Sequence, residues 1–261
     1  MSSRVARGFQ ELFSYGEFTA CVVVWIPLLG AVRLLHRGDD VPRVAGRWFR
    51  RMGKTVSALS PLWDFSTEGA PPADIATRPY VVVANHVSMA DPFLLSWLDW
   101  DMQWVGKEEL FRMPVLGWLF RLAGDIPLRR GSHESVVAML DACRHAIDCG
   151  LSVMLFPEGT RSRDGSVRTF KDGAFQLAVE KGVPILPLAI AGTEGCFTNG
   201  VRFGQSRAIV RVLEPIQVSG KGEDEVVRVR DLAQGRIGAA VRELEAELEA
   251  HLEAGNRLIR E

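Results

Sequence analysis

The sequence predicts an α/β domain with a mixed, mostly parallel sheet flanked by helices, preceded by an N-terminal two-helix membrane-binding hairpin. From residue 79 onward, short apolar runs alternate with longer segments of helical periodicity, as in α/β proteins. The runs at 80–84 and 151–156 lack the polar alternation of a half-exposed strand, so we expect both to be buried on both faces. An apolar stretch and a basic amphipathic segment precede this alternation and suggest the hairpin.

Length and composition limit the class of protein. A chain of 261 residues fits one large α/β domain with an appendage. The net charge of -1 at pH 7 argues against bulk nucleic-acid binding, so we expect no nucleic-acid partner. The four cysteines have no C-x-x-C spacing, which predicts neither a zinc site nor a disulfide framework, and we interpret them as inert thiols of a reducing cytosol.

Residues 1–63 are assigned to the membrane-associated hairpin. Residues 18–32 are uncharged and mostly apolar, but this stretch is shorter than the roughly 20 residues that span a bilayer. Residues 41–63 place Val, Trp, Met and Leu at three- and four-residue steps, with Arg and Lys between them. A basic amphipathic helix with Trp on its apolar stripe is typical of a segment in the membrane interface. The alternative is a helix packed on the soluble core with a solvated basic face.

The rest of the chain divides into three segments. Pro61 and a Gly-Ala-Pro-Pro-Ala stretch indicate a linker at 64–78, and residues 79–220 form the α/β domain. Residues 221–261 predict a charged C-terminal helix with a solvated, salt-bridged face. Within the domain we predict strands at 80–84, 103–107, 125–130, 151–156, 184–190 and 208–218, and helices at 114–122, 132–149 and 170–181.

The stretch NHVSMADP contains a candidate general base. His86 follows the predicted strand at 80–84, at the edge where open α/β sheets bind their ligands. Asp91 lies at a predicted helix start, which either Ser88 or Asp91 itself would cap, and a tight turn there brings Asp91 to His86. A carboxylate on one imidazole nitrogen leaves the other as a proton acceptor and stabilises the imidazolium that forms. By itself this spacing fits a structural histidine equally well.

Cationic residues follow three other predicted strands: Lys107, the Arg129–Arg130 pair, and Arg161 in the loop FPEGTRS. In that loop, Gly159 permits a positive φ or a close backbone approach, and Arg161 offers a planar fork suited to phosphate oxygens. Singly, each cation fits a solvated loop residue. Converging on one sheet edge, they would form a phosphate pocket beside His86.

Four ordered blocks resemble the PlsC-like glycerolipid acyltransferases, the 1-acyl-sn-glycerol-3-phosphate acyltransferases. The blocks are NHVSMADP, GKEEL followed by IPLRR, FPEGTRS and VPILPLAI, and the N-terminal hairpin also resembles bacterial members. The resemblance implies the glycerolphosphate acyltransferase-like fold. It also implies transfer of an acyl chain from acyl-coenzyme A or acyl carrier protein to lysophosphatidic acid, giving phosphatidic acid. No cofactor beyond this cosubstrate and no metal are expected.

The resemblance also implies roles for individual residues. His86 would be the general base and Asp91 its partner. Members often have Asp where this chain has Arg129, so either Arg129 or Arg130 would face the acceptor phosphate. Lys171 would be either a ligand or an ordinary helix residue. The implied substrate-binding residues are Asn85, Ser88, Lys107, Arg130, Glu158, Gly159, Thr160 and Arg161.

The expected partners are membrane lipids, lysophosphatidic acid and, as one of two donors, acyl carrier protein, and the expected location is the cytoplasmic face of the cell membrane. No Ser or Cys has a G-x-S-x-G setting, so we expect direct transfer without an acyl-enzyme. Three alternatives stay open. They are an acyltransferase for a lyso-aminolipid or another lysophospholipid, a thioesterase, and a non-catalytic membrane-surface scaffold with a relict fold.

Overall fold

The computed structural model describes residues 3–162, 165–198 and 202–258, and within them the side chains of residues 8–254. The helices are α1 (Ser3–Leu35), α2 (Arg43–Leu59), α3 (Asp91–Leu95), α4 (Glu108–Arg112), α5 (Leu116–Ala123), α6 (His133–Asp148), α7 (Gly173–Lys181) and α8 (Glu223–Leu258). The strands are β1 (Trp63–Glu68), β2 (Val81–Ala84), β3 (Met102–Lys107), β4 (Ile126–Leu128), β5 (Ser152–Leu155), β6 (Ile185–Ala191), β7 (Phe197–Thr198), β8 (Arg202–Phe203) and β9 (Ser206–Val212). A short 3₁₀ turn covers Glu194–Cys196.

Seven strands form one mixed sheet in the order β1-β9-β6-β2-β5-β3-β4. Strands β6, β2, β5, β3 and β4 are mutually parallel, whereas β9 runs antiparallel to β6 and β1 runs parallel to β9. The prediction of a mixed, mostly parallel sheet is therefore confirmed. Because five neighbouring strands share one direction, their carboxyl ends lie at the same edge, and the loops that follow them meet there.

The sheet is buried because its two faces carry two separate hydrophobic cores. Along β2, Val82 faces the core formed with α1, α2, α3 and α5, whereas Val81 faces the core formed with α6, α7 and α8. In β6, Leu188 and Ala189 alternate between the same two cores. Continuous apolar runs are what a strand covered on both faces requires.

The N-terminal hairpin is present, but α1 is longer than predicted. Its segment Gly8–Leu35 has 28 residues and contains an 18-residue window with a mean hydropathy of 2.1, which by length and composition alone is enough to cross a membrane. The predicted stretch 18–32 was too short because the helix continues on both sides through Glu17 and Arg33, the charged residues that bound the stretch. Large apolar side chains remain exposed along α1, namely Phe9, Leu12, Phe13, Val23, Val24, Leu34 and Leu35.

The apolar stripe of α2 packs inward, so the prediction that this stripe lies in the membrane interface is wrong. Phe49, Met52 and Val56 are buried in the core shared with α1 and the sheet. The basic face is ion-paired to the domain: Arg47 donates to Asp101 at 2.7 Å. Core burial outweighs interfacial binding here because the sheet offers the stripe a dry apolar surface. The exposed apolar surface of the hairpin therefore lies mainly on α1, with Leu59 exposed at the end of α2.

The predicted linker needs correction, and the C-terminal helix has a buried face that was not predicted. Trp63 and the start of the predicted linker 64–78 form β1, an edge strand whose alternation buries Trp63 and Phe65 as a stacked pair with centroids 5.4 Å apart. The C-terminal helix α8 carries ion-paired residues on its charged face, such as Glu243 and Glu247, which pair with Arg211. Its opposite face is buried, because Val229, Ile237 and other apolar residues form a stripe in the core. The last residues of the predicted segment 221–261, from 259 onward, lie outside the described residues.

The remaining element predictions are confirmed with small shifts at their ends. Ser132 caps α6 as predicted, accepting a hydrogen bond from the Ser135 amide at 3.3 Å. Gly182 ends α7 in the left-handed conformation, which glycine adopts without steric penalty. β4 forms the sheet edge, as Pro127 requires. β9 ends at Val212, earlier than the predicted 218.

Candidate active site

His86 and Asp91 are in direct contact at the carboxyl end of β2. His86 Nδ1 lies 2.7 Å from Asp91 Oδ2. With Nδ1–H donating to the carboxylate, the lone pair of Nε2 is available as a proton acceptor. No residue in the described ranges forms a hydrogen bond with Nε2, and the His86 side chain keeps 13% of its surface exposed. The geometry therefore suits a general base.

Asp91 is completely buried and its carboxylate accepts four hydrogen bonds. Besides His86, the backbone amides of Val87 and Ser88 donate to Oδ2 at 2.9 and 3.0 Å. The hydroxyl of Thr193, also fully buried, donates to Oδ1 at 2.5 Å. A buried carboxylate is stable only when it is paired and hydrogen-bonded. These contacts therefore hold a fixed negative charge against the imidazole.

The turn that makes this contact differs from both capping predictions. Asp91 is the first residue of α3, Pro92 follows it, and Ala90 in the N-cap position makes no side-chain hydrogen bond. Asp91 instead bonds backward to the amides of the preceding turn, while the Ser88 hydroxyl accepts from the Ala90 amide at 3.1 Å. Both side chains are thus used to shape the loop that presents His86.

Asn85 joins two strands rather than offering its amide to a ligand. Its Nδ2 donates to the Ile190 carbonyl and its Oδ1 accepts from the Ile190 amide, both at 2.8 Å. The side chain is fully buried. The structure thus places Asn85 beside the site as a clamp between β2 and β6, which corrects the expectation that it binds substrate.

The loop after β5 is bonded directly to His86. The Phe156 ring stacks on the imidazole, with centroids 4.1 Å apart and an interplanar angle of 21°. The His86 amide donates to Glu158 Oε1 at 3.0 Å, and the Ser162 amide donates to the His86 carbonyl at 2.7 Å. Because β2 and β5 are paired neighbours, the two predicted loops converge and fix the ring from both sides.

Glu158 carries a buried carboxyl group beside His86. Burial raises the pKa of Glu158 to about 7, against the opposing effect of the His86 and Arg168 backbone amides. Its Oε2 is buried and has no hydrogen-bond partner within the part of the chain that the structure describes. An acceptor atom in this state favours a ligand that donates to it.

Gly159 adopts φ +67°, which side chains other than glycine rarely accept. A Cβ here would lie 2.9 Å from Lys171 Nζ, so the lysine lies directly over this turn. Lys171 is therefore placed at the loop rather than on a distant helix face. Thr160 is half-buried next to Gly159, and Arg161 is exposed.

The predicted phosphate-binding cations lie at the same edge as His86. The register of β2 with β5, of β5 with β3 and of β3 with β4 places Lys107 level with Asn85, and Leu128 level with Lys107. Since neighbouring strands are about 4.8 Å apart, the β3 loop lies roughly 10 Å from β2 and the β4 loop roughly 14 Å. Along this edge of the sheet, the base His86 therefore lies at β2, and the cations lie toward β3 and β4.

Arg129 and Arg130 have different environments. Arg129 Nη2 donates to the Ser132 hydroxyl at 3.2 Å, and its Nε lies 4.0 Å from Glu108 Oε2. Arg130 and Arg161 are exposed, and neither pairs with any residue that the structure describes. Lys107 lies 3.2 Å from Glu109 in an exposed pair, which contributes little and is readily exchanged. Arg130 and Arg161 are therefore the cations with unused donors.

Reasoning from the sequence assigned no role to two residues that contribute to the site. Thr193 follows β6, where no motif marks its position, and Phe156 opens the block FPEGTRS, where its apolar ring suggested only the end of a strand. Thr193 could have been found only from strand order, since β6 neighbours β2 in the sheet. Cys196 is close behind Thr193, but burial raises the pKa of this thiol to about 12, so it does not supply a nucleophile. Within the described ranges, no three His, Cys, Asp or Glu side chains are placed to hold a metal ion.

Comparisons with known proteins support the resemblance. The profile of the Acyltransferase family matches residues 67–191. The 1-acyl-sn-glycerol-3-phosphate acyltransferase of Haemophilus influenzae is 32% identical, over 82% of this chain and 85% of that protein. Its counterpart in Escherichia coli is 30% identical, over 78% of this chain and 84% of that protein.

A chloroplast relative and a solved structure extend this comparison. The chloroplastic 1-acyl-sn-glycerol-3-phosphate acyltransferase of Brassica napus is 30% identical over 78% of this chain, and the chain spans 61% of its length. The crystal structure of the 1-acyl-sn-glycerophosphate (LPA) acyltransferase PlsC from Thermotoga maritima superposes with a TM-score of 0.72 at 27% identity. That match covers 92% of this chain and 98% of the other.

Proposed function

Because the chain belongs to the 1-acyl-sn-glycerol-3-phosphate acyltransferase family, we propose that it transfers an acyl chain from a thioester to lysophosphatidic acid, forming phosphatidic acid. One observation carries the proposal. The unbonded Nε2 of His86 lies at the same sheet edge as unpaired arginines, so one lipid can present its hydroxyl to a base and its phosphate to cations. A site for acyl transfer to a phosphorylated glycerol needs both features.

In the proposed reaction, His86 Nε2 takes the proton of the acceptor hydroxyl as the oxygen attacks the thioester carbonyl. Asp91 stabilises the resulting imidazolium through Nδ1. The new C–O bond forms, the C–S bond breaks, and the thiolate leaves with its electron pair and recovers the proton from the imidazolium. No step requires an acyl-enzyme, and Cys196, three residues after Thr193, is a buried thiol with a raised pKa.

The acceptor phosphate is assigned to Arg130 and Arg161, with Lys107 and Lys171 at the margins of the same edge. Arginine binds phosphate oxygens through two parallel donors, and neither arginine would have to give up an ion pair to do so. Glu158 is assigned to the glycerol portion, because its Oε2 is a buried acceptor without a partner. Acyl-coenzyme A and acyl carrier protein both fit as donors, and neither requires a further cofactor.

We place the protein on the cytoplasmic face of the cell membrane, where its lipid acceptor is found. The long apolar α1 with its exposed side chains supports membrane association. Such a helix lets the domain take its acceptor from the bilayer rather than from water.

The deciding experiment measures thiol release from palmitoyl-coenzyme A by detergent-solubilised protein. Lysophosphatidic acid, a phosphate monoester, is compared with monoacylglycerol, which has the hydroxyl but no phosphate, and with lysophosphatidylcholine, whose phosphate is a diester. We expect release that depends on lysophosphatidic acid and yields phosphatidic acid. Release without any acceptor would support a thioesterase, and equal activity on monoacylglycerol would exclude the phosphate-directed assignment. Acyl carrier protein thioesters are tested in parallel, so an inactive coenzyme A donor is not mistaken for an inactive protein.

A further inference from the structure

We infer that the segment Met113–Trp118, between α4 and α5, is a second membrane-inserting element that enters the lipid interface beside α1. Within six residues it exposes Met113 by 42%, Val115 by 38% and Trp118 by 55%. Exposed large apolar side chains so close together normally mark a binding surface. The inference rests on the proposed membrane association and adds a contact that neither hairpin helix provides.

A strained turn holds these side chains outward. Val115 has φ +67° and ψ −64°, and it is the only non-glycine residue with positive φ among residues 3–162, 165–198 and 202–258. The Leu116 amide donates to the Pro114 carbonyl at 2.7 Å, which closes a γ-turn around Val115. This conformation is unfavourable for a β-branched residue, and such strain persists only where the surrounding structure imposes it.

The base of the turn is rigid, so the exposed residues do not lie on a loose loop. Gly117 packs so closely on the Phe111 backbone that a Cβ would overlap its carbonyl oxygen. Arg121 Nη2 donates to that same carbonyl at 2.5 Å. On the inner face of α5, Leu119 and Ala123 are buried in the core. The structure thus fixes Trp118 on the outer side of a well-anchored helix.

A lipid surface is the occupant that fits this segment. Helix α5 packs against both α1 and α2, so its outer face continues the exposed apolar surface of α1. Trp and Met beside cations are typical of residues at the boundary between headgroups and acyl chains. Arg121, exposed and three residues after Trp118, supplies positive charge for anionic headgroups. Arg112, whose side chain is 63% exposed, forms an exposed ion pair with Glu108 and contributes a second cation.

A fluorescent reporter tests insertion without removing the other contacts. Trp118→Cys, in a Cys149→Ser background that removes the most accessible native thiol, carries an environment-sensitive dye. The matched control is Val137→Cys on α6, 43% exposed in the opposite helical layer. With vesicles of phosphatidylcholine and phosphatidylglycerol, we expect enhanced emission at 118 that brominated acyl chains quench, and a water-like signal at 137. Equal, water-like signals from vesicle-bound protein would overturn the inference while leaving membrane association intact.

Charge substitutions test the same surface by affinity. Met113→Glu and Trp118→Glu are each expected to weaken vesicle binding roughly tenfold, because a buried apolar contact is replaced by a carboxylate repelled from anionic lipid. Val137→Glu serves as the matched control and should bind as the wild type does. Acceptor-dependent activity in detergent micelles should be unchanged in all three, which separates membrane docking from the proposed chemistry. Wild-type affinity in both segment variants would contradict the inference, and a wild-type chain that does not cosediment with vesicles would overturn the proposed membrane association as well.

Discussion

The two halves of the candidate site are built in opposite ways. On the base side, Asp91 is 0% exposed and accepts four hydrogen bonds. On the cationic side, Arg130 and Arg161 are exposed and have no partner among the described residues. A base must be oriented before the reaction, because reorganisation during the transition state raises the barrier. A charge that binds substrate is more useful unpaired, since a protein partner would have to be displaced first.

The largest effect is expected on the base side. Replacing His86 by Ala should lower acceptor-dependent turnover by about a thousandfold, because proton removal by a positioned base contributes roughly 10² to 10⁴. Thiol release and phosphatidic acid formation measure it. His145→Ala, an exposed histidine at the far end of α6, is the matched control and should keep full activity. Turnover above a tenth of wild type in a folded His86→Ala protein would exclude His86 as the base.

On the cationic side the effect should appear in acceptor binding. Arg130→Ala and Arg161→Ala are each expected to raise the KM for lysophosphatidic acid about 10- to 100-fold, as for loss of a charge-assisted hydrogen bond. Arg129→Ala should change this KM much less, because Arg129 is directed to Ser132 and Glu108. Steady-state kinetics over an acceptor series makes the measurement. A larger KM change for Arg129→Ala than for Arg130→Ala would reverse the assignment.

A smaller effect is expected for Thr193, which follows β6 and donates a hydrogen bond to Asp91. Thr193→Val keeps the shape of the side chain but removes one donor to Asp91, and kcat should fall about tenfold. The acidic limb of the kcat/KM profile should also move to higher pH, because a carboxylate that has lost a donor holds the imidazolium more strongly. A merely structural role would leave that limb unmoved.

Two further variants complete the Thr193 test. Thr193→Ser restores the hydroxyl and should recover the wild-type profile. Thr77→Val removes an exposed hydroxyl bonded only to a nearby carbonyl, and should change neither kcat nor the profile. If Thr193→Val lowers kcat without moving the acidic limb, Thr193 supports packing rather than the orientation of Asp91.

The sequence predicted most residues of the candidate site but not the contacts between strands that hold them. Local patterns marked His86, Asp91, Lys107, Arg130 and Arg161, because each follows a recognisable strand. Asn85 stands in the same motif, yet its role depends on Ile190, a partner that only the neighbouring strand supplies. Contacts between strands distant in sequence require the sheet order, which local periodicity does not contain.

The same limit explains the errors in the N-terminal half. The stripe of α2 has the periodicity of an interfacial helix and of a helix packed on a core, and a one-dimensional pattern does not separate these. What decides is the apolar face of the sheet, which buries Phe49 and Met52. The strand β1 was missed because Gly and Pro residues directly after it dominate the local signal.

The smallest expected effect concerns the pH dependence of stability. It depends on Glu158, which accepts a hydrogen bond from the His86 amide and is assigned to the acceptor lipid. Burial raises the pKa of Glu158 from its ordinary value of 4.5 to about 7, so between these pH values the folded protein holds a proton that the unfolded chain has lost. Stability therefore falls as pH rises from 4.5 to 7 and levels off above. Glu158→Gln removes this pH-dependent contribution to stability. The melting temperature of the variant, relative to that of the wild type, should therefore rise as the pH increases from 4.5 to 7. Glu214→Gln, an exposed control, should show no such trend. If the difference in melting temperature between Glu158→Gln and wild type stays constant with pH, the Glu158 carboxyl titrates as a solvated group. The assignment of its Oε2 as a buried acceptor for a donor group of the acceptor lipid would then lose its support.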